Sequence, residues 1–227
     1  MRPPLRLAIF DCDGVLIDSE AISNRVCAEA LTESGWPMSA EEAQQRFIGL
    51  SFHDTQRLAE IRLGRSLGAR WVDDVVERLV AVLATDVEPI PGALDALAAV
   101  SAMGLAWRVG SNSSFQETEA KFRRVGIEAT MAGRLHSGAD IIARGGRPKP
   151  APDVFLEAAA AEGVDPAACA VIEDSVTGVT AAVAAGMRCL GFAPDSDGAA
   201  LRAAGAEPFR AMADLPGLLR AAMRGHP

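Results

Sequence analysis

The chain reads as an α/β protein, a parallel sheet with helices on both faces, interrupted after its first strand by an all-helical segment. Three observations predict this. A short apolar run, residues 5–10, stops abruptly at Asp11-Cys12-Asp13-Gly14. Residues 18–86 then carry apolar stripes at helical spacing and no convincing strand. Beyond Pro89-Ile90-Pro91-Gly92 the pattern alternates between helix and strand, as the crossovers of a parallel sheet require.

Residues 5–10 are expected to form a buried strand that delivers a loop at its C-terminal end. Within the helical segment, Ile22, Val26 and Ala30 form one stripe, with Cys27 and Leu31 beside them. Ser39-Ala40-Glu41-Glu42 fits a capping box opening a second helix. Trp71, Val75, Val76, Leu79, Val80 and Leu83 form a third stripe. Residues 93–103 are then helical, and residues 105–110 are a strand running into Ser111-Asn112-Ser113-Ser114. A helix and a brief extended piece near Leu135 follow. Residues 152–162 are helical, and residues 168–172 are a strand ending at Glu173-Asp174. A helix over 177–185 is closed by Gly186, and residues 188–192 form another strand. The predicted organisation is an α/β core built from residues 1–17 and 87–227, with residues 18–86 inserted as a helical domain.

Composition narrows the function. With 227 residues, 49% hydrophobic and 23% charged, the chain has ordinary globular composition and room for one large or two modest cores. A net charge of −8 argues against nucleic acid or an anionic membrane surface as a partner. The start of the chain lacks the length and composition of a signal peptide, and no apolar stretch suffices to span a bilayer, so a cytoplasmic location is expected. Cys12, Cys27, Cys169 and Cys189 show no paired spacing and read as reduced, small hydrophobes. His53, His136 and His226 have no partner at metal spacing and read as surface or core residues.

Three predicted strands end in polar clusters: Asp11 with Asp13, Ser111 with Asn112, and Glu173 with Asp174. A fourth cluster, Arg147-Pro148-Lys149-Pro150-Ala151-Pro152-Asp153, lies in a proline-rich loop. Parallel strands place their C-terminal ends along one edge, so these distant positions can converge where such sheets bind ligands. Phosphate-ester hydrolysis needs a nucleophile, a proton donor for the leaving oxygen, and positive charge to offset the phosphoryl oxygens. A carboxylate can attack phosphorus, and a divalent cation then has to offset the repulsion between anions, with hard oxygen ligands suiting magnesium. Asp11, Asp13 and Asp174 can supply such oxygens, Lys149 adds a point charge, and Ser111 with the backbone at Asn112 can hold the transferring oxygens.

In this light Asp11-Cys12-Asp13-Gly14-Val15-Leu16 resembles the first signature of haloacid dehalogenase superfamily phosphatases. Ser111-Asn112-Ser113-Ser114 resembles the second, Lys149-Pro150-Ala151-Pro152-Asp153 the third, and Glu173-Asp174-Ser175 with Gly178 the fourth. All four stand in the family's order, and the resemblance covers essentially the whole chain. It implies a Rossmann-like core with a small helical cap that closes over the site and reads the leaving group. It also implies Asp11 as nucleophile and Mg2+ ligand, and Asp13 as general acid and then base, its backbone carbonyl touching the metal. Ser111, Asn112 and Lys149 would bind the phosphoryl group; Asp174 would complete the metal shell, with Glu173 acting through a bound water. The substrate class implied is a small phosphate monoester, a sugar phosphate or sugar-acid phosphate, and the assembly implied is a monomer or weak homodimer.

Rival chemistries on this fold are weighed against particular residues. Dehalogenases dispense with the second aspartate and the metal, so Asp13 and Asp174 count against them. Phosphonate hydrolases need a lysine in the cap, and residues 18–86 contain none. A β-phosphoglucomutase-like sugar-phosphate mutase is the closest alternative. Its cap would carry a histidine near the position of Ser23 and a basic loop where Ile48-Gly49-Leu50-Ser51-Phe52 stands, so hydrolysis is favoured. A phosphorylated signalling receiver would be shorter and would lack the insert and the serine cluster.

Overall fold

The computed structural model describes residues 3–47 and 50–225; Ile48 and Gly49 of the predicted cap loop, and His226, lie outside the described residues. The first strand, β1 (Leu7–Phe10), is buried along its whole length. Its unbroken apolar run, without the alternation of a half-exposed strand, is what a strand covered on both faces requires. The chain leaves the core at β2 (Ile17–Asp18), passes through α1 (Glu20–Glu33), α2 (Ala40–Phe47), α3 (Phe52–Leu63) and α4 (Trp71–Asp86), and returns at β3 (Glu88–Pro89). β2 and β3 pair antiparallel, Ile17 against Pro89 and Asp18 against Glu88, in a short two-stranded ribbon where the insert leaves and rejoins the chain.

The core continues with α5 (Ala93–Ala102), β4 (Ala106–Ser111), α6 (Phe115–Arg124), α7 (Glu128–Met131), β5 (Leu135–Ser137), α8 (Gly138–Ala143) and α9 (Asp153–Ala161). It closes with β6 (Cys169–Glu173), α10 (Val176–Ala184), β7 (Arg188–Phe192), α11 (Ala199–Ala204), β8 (Glu207–Phe209) and α12 (Leu215–Met223). The main sheet runs β5-β4-β1-β6-β7-β8, every pair parallel. From β1 the chain builds outward to β4 and β5 on one side, then crosses back to β6, β7 and β8 on the other. β1 therefore sits at the point where strand order reverses, the place at which such sheets form a crevice.

Alternate residues of β1 feed opposite cores. Leu7 and Ile9 join Phe155, Val171, Val179 and Met187 beneath α9 and α10. Phe10 meets Trp107 edge-to-face at 6.4 Å on the other face.

The described chain divides into two compact units, one comprising residues up to Asp18 and from Glu88 onward, the other Ser19–Val87. The all-helical unit has its own core, in which Val26, Leu31, Phe47, Val75, Leu79 and Leu83 are buried. Its capping box at Ser39 and Glu42 is formed by reciprocal side-chain to backbone bonds of 2.9 and 3.1 Å. Helix α3 is not legible as a stripe, because its only buried residues are Thr55 and Ala59, both small. What starts it is local: the Ser51 hydroxyl accepts from the backbone N–H of Asp54. Among the described residues no helix is long and apolar enough to cross a membrane.

Candidate active site

The C-terminal ends of β4, β1 and β6, three adjacent strands, present Ser111, Asp11 and Glu173 along one edge of the sheet. Asp11 continues β1 by donating its backbone N–H to the Ile172 carbonyl at 2.9 Å. Lys149 arrives from the loop before α9 and is buried. Its ammonium donates to Asp11 Oδ1 and to Glu173 Oε1, each at 2.8 Å, and lies 4.7 Å from the centre of the Phe155 ring. Burial alone would weaken the hold of Lys149 on its proton, but Asp11 and Glu173 reverse this and keep its affinity for the proton above that of an ordinary lysine.

The loop that delivers Lys149 is fixed by Asn112. The Asn112 side chain accepts from the Lys149 backbone N–H at 2.9 Å and donates to the Lys149 carbonyl at 3.3 Å. With its side chain so engaged, Asn112 offers a ligand its backbone rather than its amide. Glu173 is similarly occupied. Its second oxygen accepts from the backbone N–H groups of Asp174 (3.0 Å) and Ser175 (2.9 Å) and from the Ser175 hydroxyl (2.9 Å). It thus anchors Lys149 on one side and the turn into α10 on the other.

Two glycines exist here for lack of space. A Cβ on Gly14, at φ +75°, would lie 2.0 Å from Asp174 Oδ2, and one on Gly178 would lie 1.6 Å from Glu173 Oε1. Each lets a carboxylate rest directly against backbone.

Asp13 has a different set of partners. Its Oδ1 accepts from the Lys121 ammonium at 2.5 Å. Its Oδ2 accepts from the hydroxyls of Ser113 (2.8 Å) and Ser111 (3.4 Å). Lys121, on the inner face of α6, is buried. Sequence reading misses it: α6 has a polar composition in which a single lysine carries no mark, and only the packing shows that this one points inward. The sequence signal is rarity: Lys121 and Lys149 are the only two lysines of the chain, and in the fold both end on carboxylates of the first cluster.

Oxygens of Asp11, Glu173 and Asp174 lie within 4.8 Å of one another, a group able to hold a metal ion. The charges support this fit. With all four ionised, Asp11, Asp13, Glu173 and Asp174 would face two ammonium groups, Lys121 and Lys149, leaving two negative charges without a counterpart. The shortfall falls on Asp11 and Asp174. Burial is the main cause that raises each, to about 7 for Asp11 and about 8 for Asp174, with Glu173 adding to both and Lys149 opposing. The Lys149 ammonium opposes the effect of burial on Asp11 without cancelling it. A divalent cation would supply the two missing charges.

His136 is buried on β5 with Nδ1 3.0 Å from Glu157, and His53 is exposed on α3. All four cysteines are buried and free.

The sequence matches the haloacid dehalogenase-like hydrolase family over residues 5–186. It is 29% identical over 218 residues to a 6-phosphogluconate phosphatase of Escherichia coli, covering 96% of each chain. It is 33% identical over 190 residues to hexitol phosphatase B of the same organism, covering 81% of each. Among solved structures, a conserved haloacid dehalogenase-like protein from Agrobacterium tumefaciens superimposes with a TM-score of 0.79 at 38% identity, covering 96% of this chain and 98% of the other.

Proposed function

The chain belongs to the haloacid dehalogenase-like hydrolases, and from that membership we propose that it is a magnesium-dependent phosphatase cleaving a small phosphate monoester through an aspartyl-phosphate. The observation that carries this reading is the Lys149 bridge, which brings the first and fourth sequence clusters onto one ammonium at the switch point of the sheet. Asp11 is the nucleophile: one of its oxygens forms a bond to phosphorus as the bond to the leaving oxygen breaks. Asp13, entering the step protonated, gives that proton to the leaving oxygen, then as carboxylate takes a proton from the water that cleaves the aspartyl-phosphate and so regains its acid form. Lys149, the Ser111 hydroxyl and the Asn112 backbone N–H hold the phosphoryl oxygens. Asp11, Asp174 and the Asp13 carbonyl would hold Mg2+, with Glu173 reaching it through a water. When bound, the ion offsets the negative charge that builds up as the carboxylate and the phosphoryl group approach.

Relatives named for 6-phosphogluconate and for hexitol phosphates support a sugar phosphate or sugar-acid phosphate as the substrate. Residues 18–86 are proposed as the cap domain that selects it. The enzyme is proposed to work in the cytoplasm as a monomer or weak homodimer, its net charge of −8 arguing against nucleic acid or membrane partners. The test is phosphate release from a panel of hexose, hexitol, pentose and sugar-acid phosphates, phosphoglycolate and β-glucose 1-phosphate, with magnesium or with a chelator. Magnesium-dependent release, fastest on a sugar-acid or hexitol phosphate, is expected. Isomerisation of β-glucose 1-phosphate in the presence of a bisphosphate, without net release, would establish the mutase alternative instead.

The metal assignment makes a separate prediction. Asp11 and Asp174 bind protons more tightly in the metal-free fold, at about 7 and 8, than the ordinary aspartate value of 3.8. Their contribution to stability is therefore complete at low pH and is lost as pH rises through 7 to 8. Magnesium competes with those protons, so it should stabilise the fold most where they have left. The expected result is a rise in Tm of about 2–8 °C with magnesium at pH 8, for roughly 1–2 kcal/mol of binding, and less than half that at pH 6. Equal shifts at both pH values would place the ion away from these carboxylates.

A further inference from the structure

We propose that Lys121, together with Ser113, is the positioning residue for Asp13, fixing the orientation in which that carboxylate exchanges protons with the leaving group and with water. The inference deepens the reading given above and rests on Asp13 being the acid and base.

The geometry carries it. Asp13 stands on a loop beyond β1, and its side chain remains partly exposed at 30%. A carboxylate there could rotate about two bonds. Lys121 takes one oxygen and the Ser113 hydroxyl the other. Lys121 also donates to the Ser113 hydroxyl at 3.1 Å, so the three groups form a closed ring of hydrogen bonds. The ring is itself built on rigid supports. Lys121 projects from the buried face of α6, which Ser114 and Glu117 start with a complete capping box. The Ser113 carbonyl accepts from the Ser137 hydroxyl at the end of β5, at 2.9 Å, and its N–H donates to the Ser111 hydroxyl at 3.1 Å.

Placement of the lysine is costly in itself. An ammonium with 3% of its side chain exposed gives up nearly all its hydration. An ion pair meant only to tie α6 to the sheet could be replaced by an apolar contact at no loss. The partner it has instead is the carboxylate assigned to proton transfer, and an error of about 1 Å in such a group can cost about a hundredfold in rate.

The test separates positioning from support by changing the leaving group. kcat/KM reports the steps up to transfer of the phosphoryl group. For a sugar phosphate that transfer needs a proton from Asp13; for p-nitrophenyl phosphate, whose leaving group departs as a stable anion, it needs far less help. Lys121→Met is expected to lower kcat/KM for the best sugar phosphate by about 30- to 100-fold, and for p-nitrophenyl phosphate by less than about fivefold. In an Asp13→Asn background the same change should add almost nothing, because Lys121 would have nothing left to position. Ser113→Ala should show the same selectivity at a smaller size, and it carries the test should Lys121→Met fail to fold. Equal losses on both substrates, or full additivity with Asp13→Asn, would make Lys121 a structural support and overturn the inference. If Asp13→Asn itself spares the sugar phosphate, the assignment of Asp13 falls, and this inference with it; that outcome is read from a different variant and cannot be confused with the first.

Discussion

Asp11→Asn is expected to lower kcat by at least about 10⁴-fold on the best substrate while leaving the protein as stable as the parent, or more so at alkaline pH. The size follows from the role: removing a group that forms the covalent bond removes the pathway itself, and nucleophile deletions elsewhere cost about 10⁶-fold. A loss of 10⁴ corresponds to about 5.4 kcal/mol of barrier. The stability argument runs through charge. Asn has nearly the shape of Asp, and its carbonyl can still accept from the Lys149 ammonium that donates to Asp11 Oδ1 at 2.8 Å. The substitution removes one negative charge from a site that holds two too many. Since burial raises Asp11 to about 7, its ionised form works against the fold above that pH, and the amide removes that penalty. Steady-state rates with magnesium, together with urea unfolding at pH 8, check both halves. Activity within tenfold of the parent would end the assignment of Asp11 as nucleophile.

The parts of this site legible in the sequence are those that sit at strand ends. Asp11, Ser111 and Glu173 each follow an apolar run, and a parallel sheet brings such ends to one edge whatever separates them in the chain. Lys149 is legible for another reason: prolines on either side restrict its backbone in a loop that has no periodic pattern to explain it. What is not legible depends on which way a helix turns its polar residues. Helix α6 reads as a charged surface helix, and only its packing shows that Lys121 faces Asp13 while Arg123, two positions on, pairs with Glu119 and Glu128 at the surface. Asn112 is legible as a site residue, but the bonds of its side chain to the Lys149 backbone are a tertiary contact with no local signature. Beyond residue 192 no element is predicted from the sequence, although Leu215, Leu219 and Ala222 are buried along α12 at a spacing that fits one helical face. Helix α3 fails for the opposite reason, since its buried face of small side chains gives no stripe to find.

Lys149→Met is expected to damage both the rate and the fold, and the contrast with Asp11→Asn is what makes it informative. The ammonium serves Asp11 and Glu173 at once, with 4% of its own side chain exposed and none of Glu173's. Removing one partner of such a buried group leaves carboxylates with no counter-charge, a change that costs about 3–5 kcal/mol. Methionine fills most of the lysine's volume against Phe155, so lost packing adds little. The penalty has a pH signature. Lys149 is the cause that draws Asp11 down. Without it Asp11 keeps its proton to higher pH, which relieves the strain at pH 6 and leaves it in force above pH 8. The rate should fall by about 10²- to 10³-fold, as for loss of one fixed donor to the transferring group. Arginine would not restore either property, because a planar guanidinium is not a substitute for a compact ammonium held between two oxygens. The decisive comparison is the double variant. If Lys149 stabilises the fold chiefly by compensating Asp11, Asp11→Asn should recover a part of the stability that Lys149→Met loses, on the order of 1–2 kcal/mol of coupling at pH 8 and less at pH 6. Strict additivity at both pH values would mean that Glu173 alone is the partner that matters, and that Lys149 reaches Asp11 only as a bystander to the pairing beneath it.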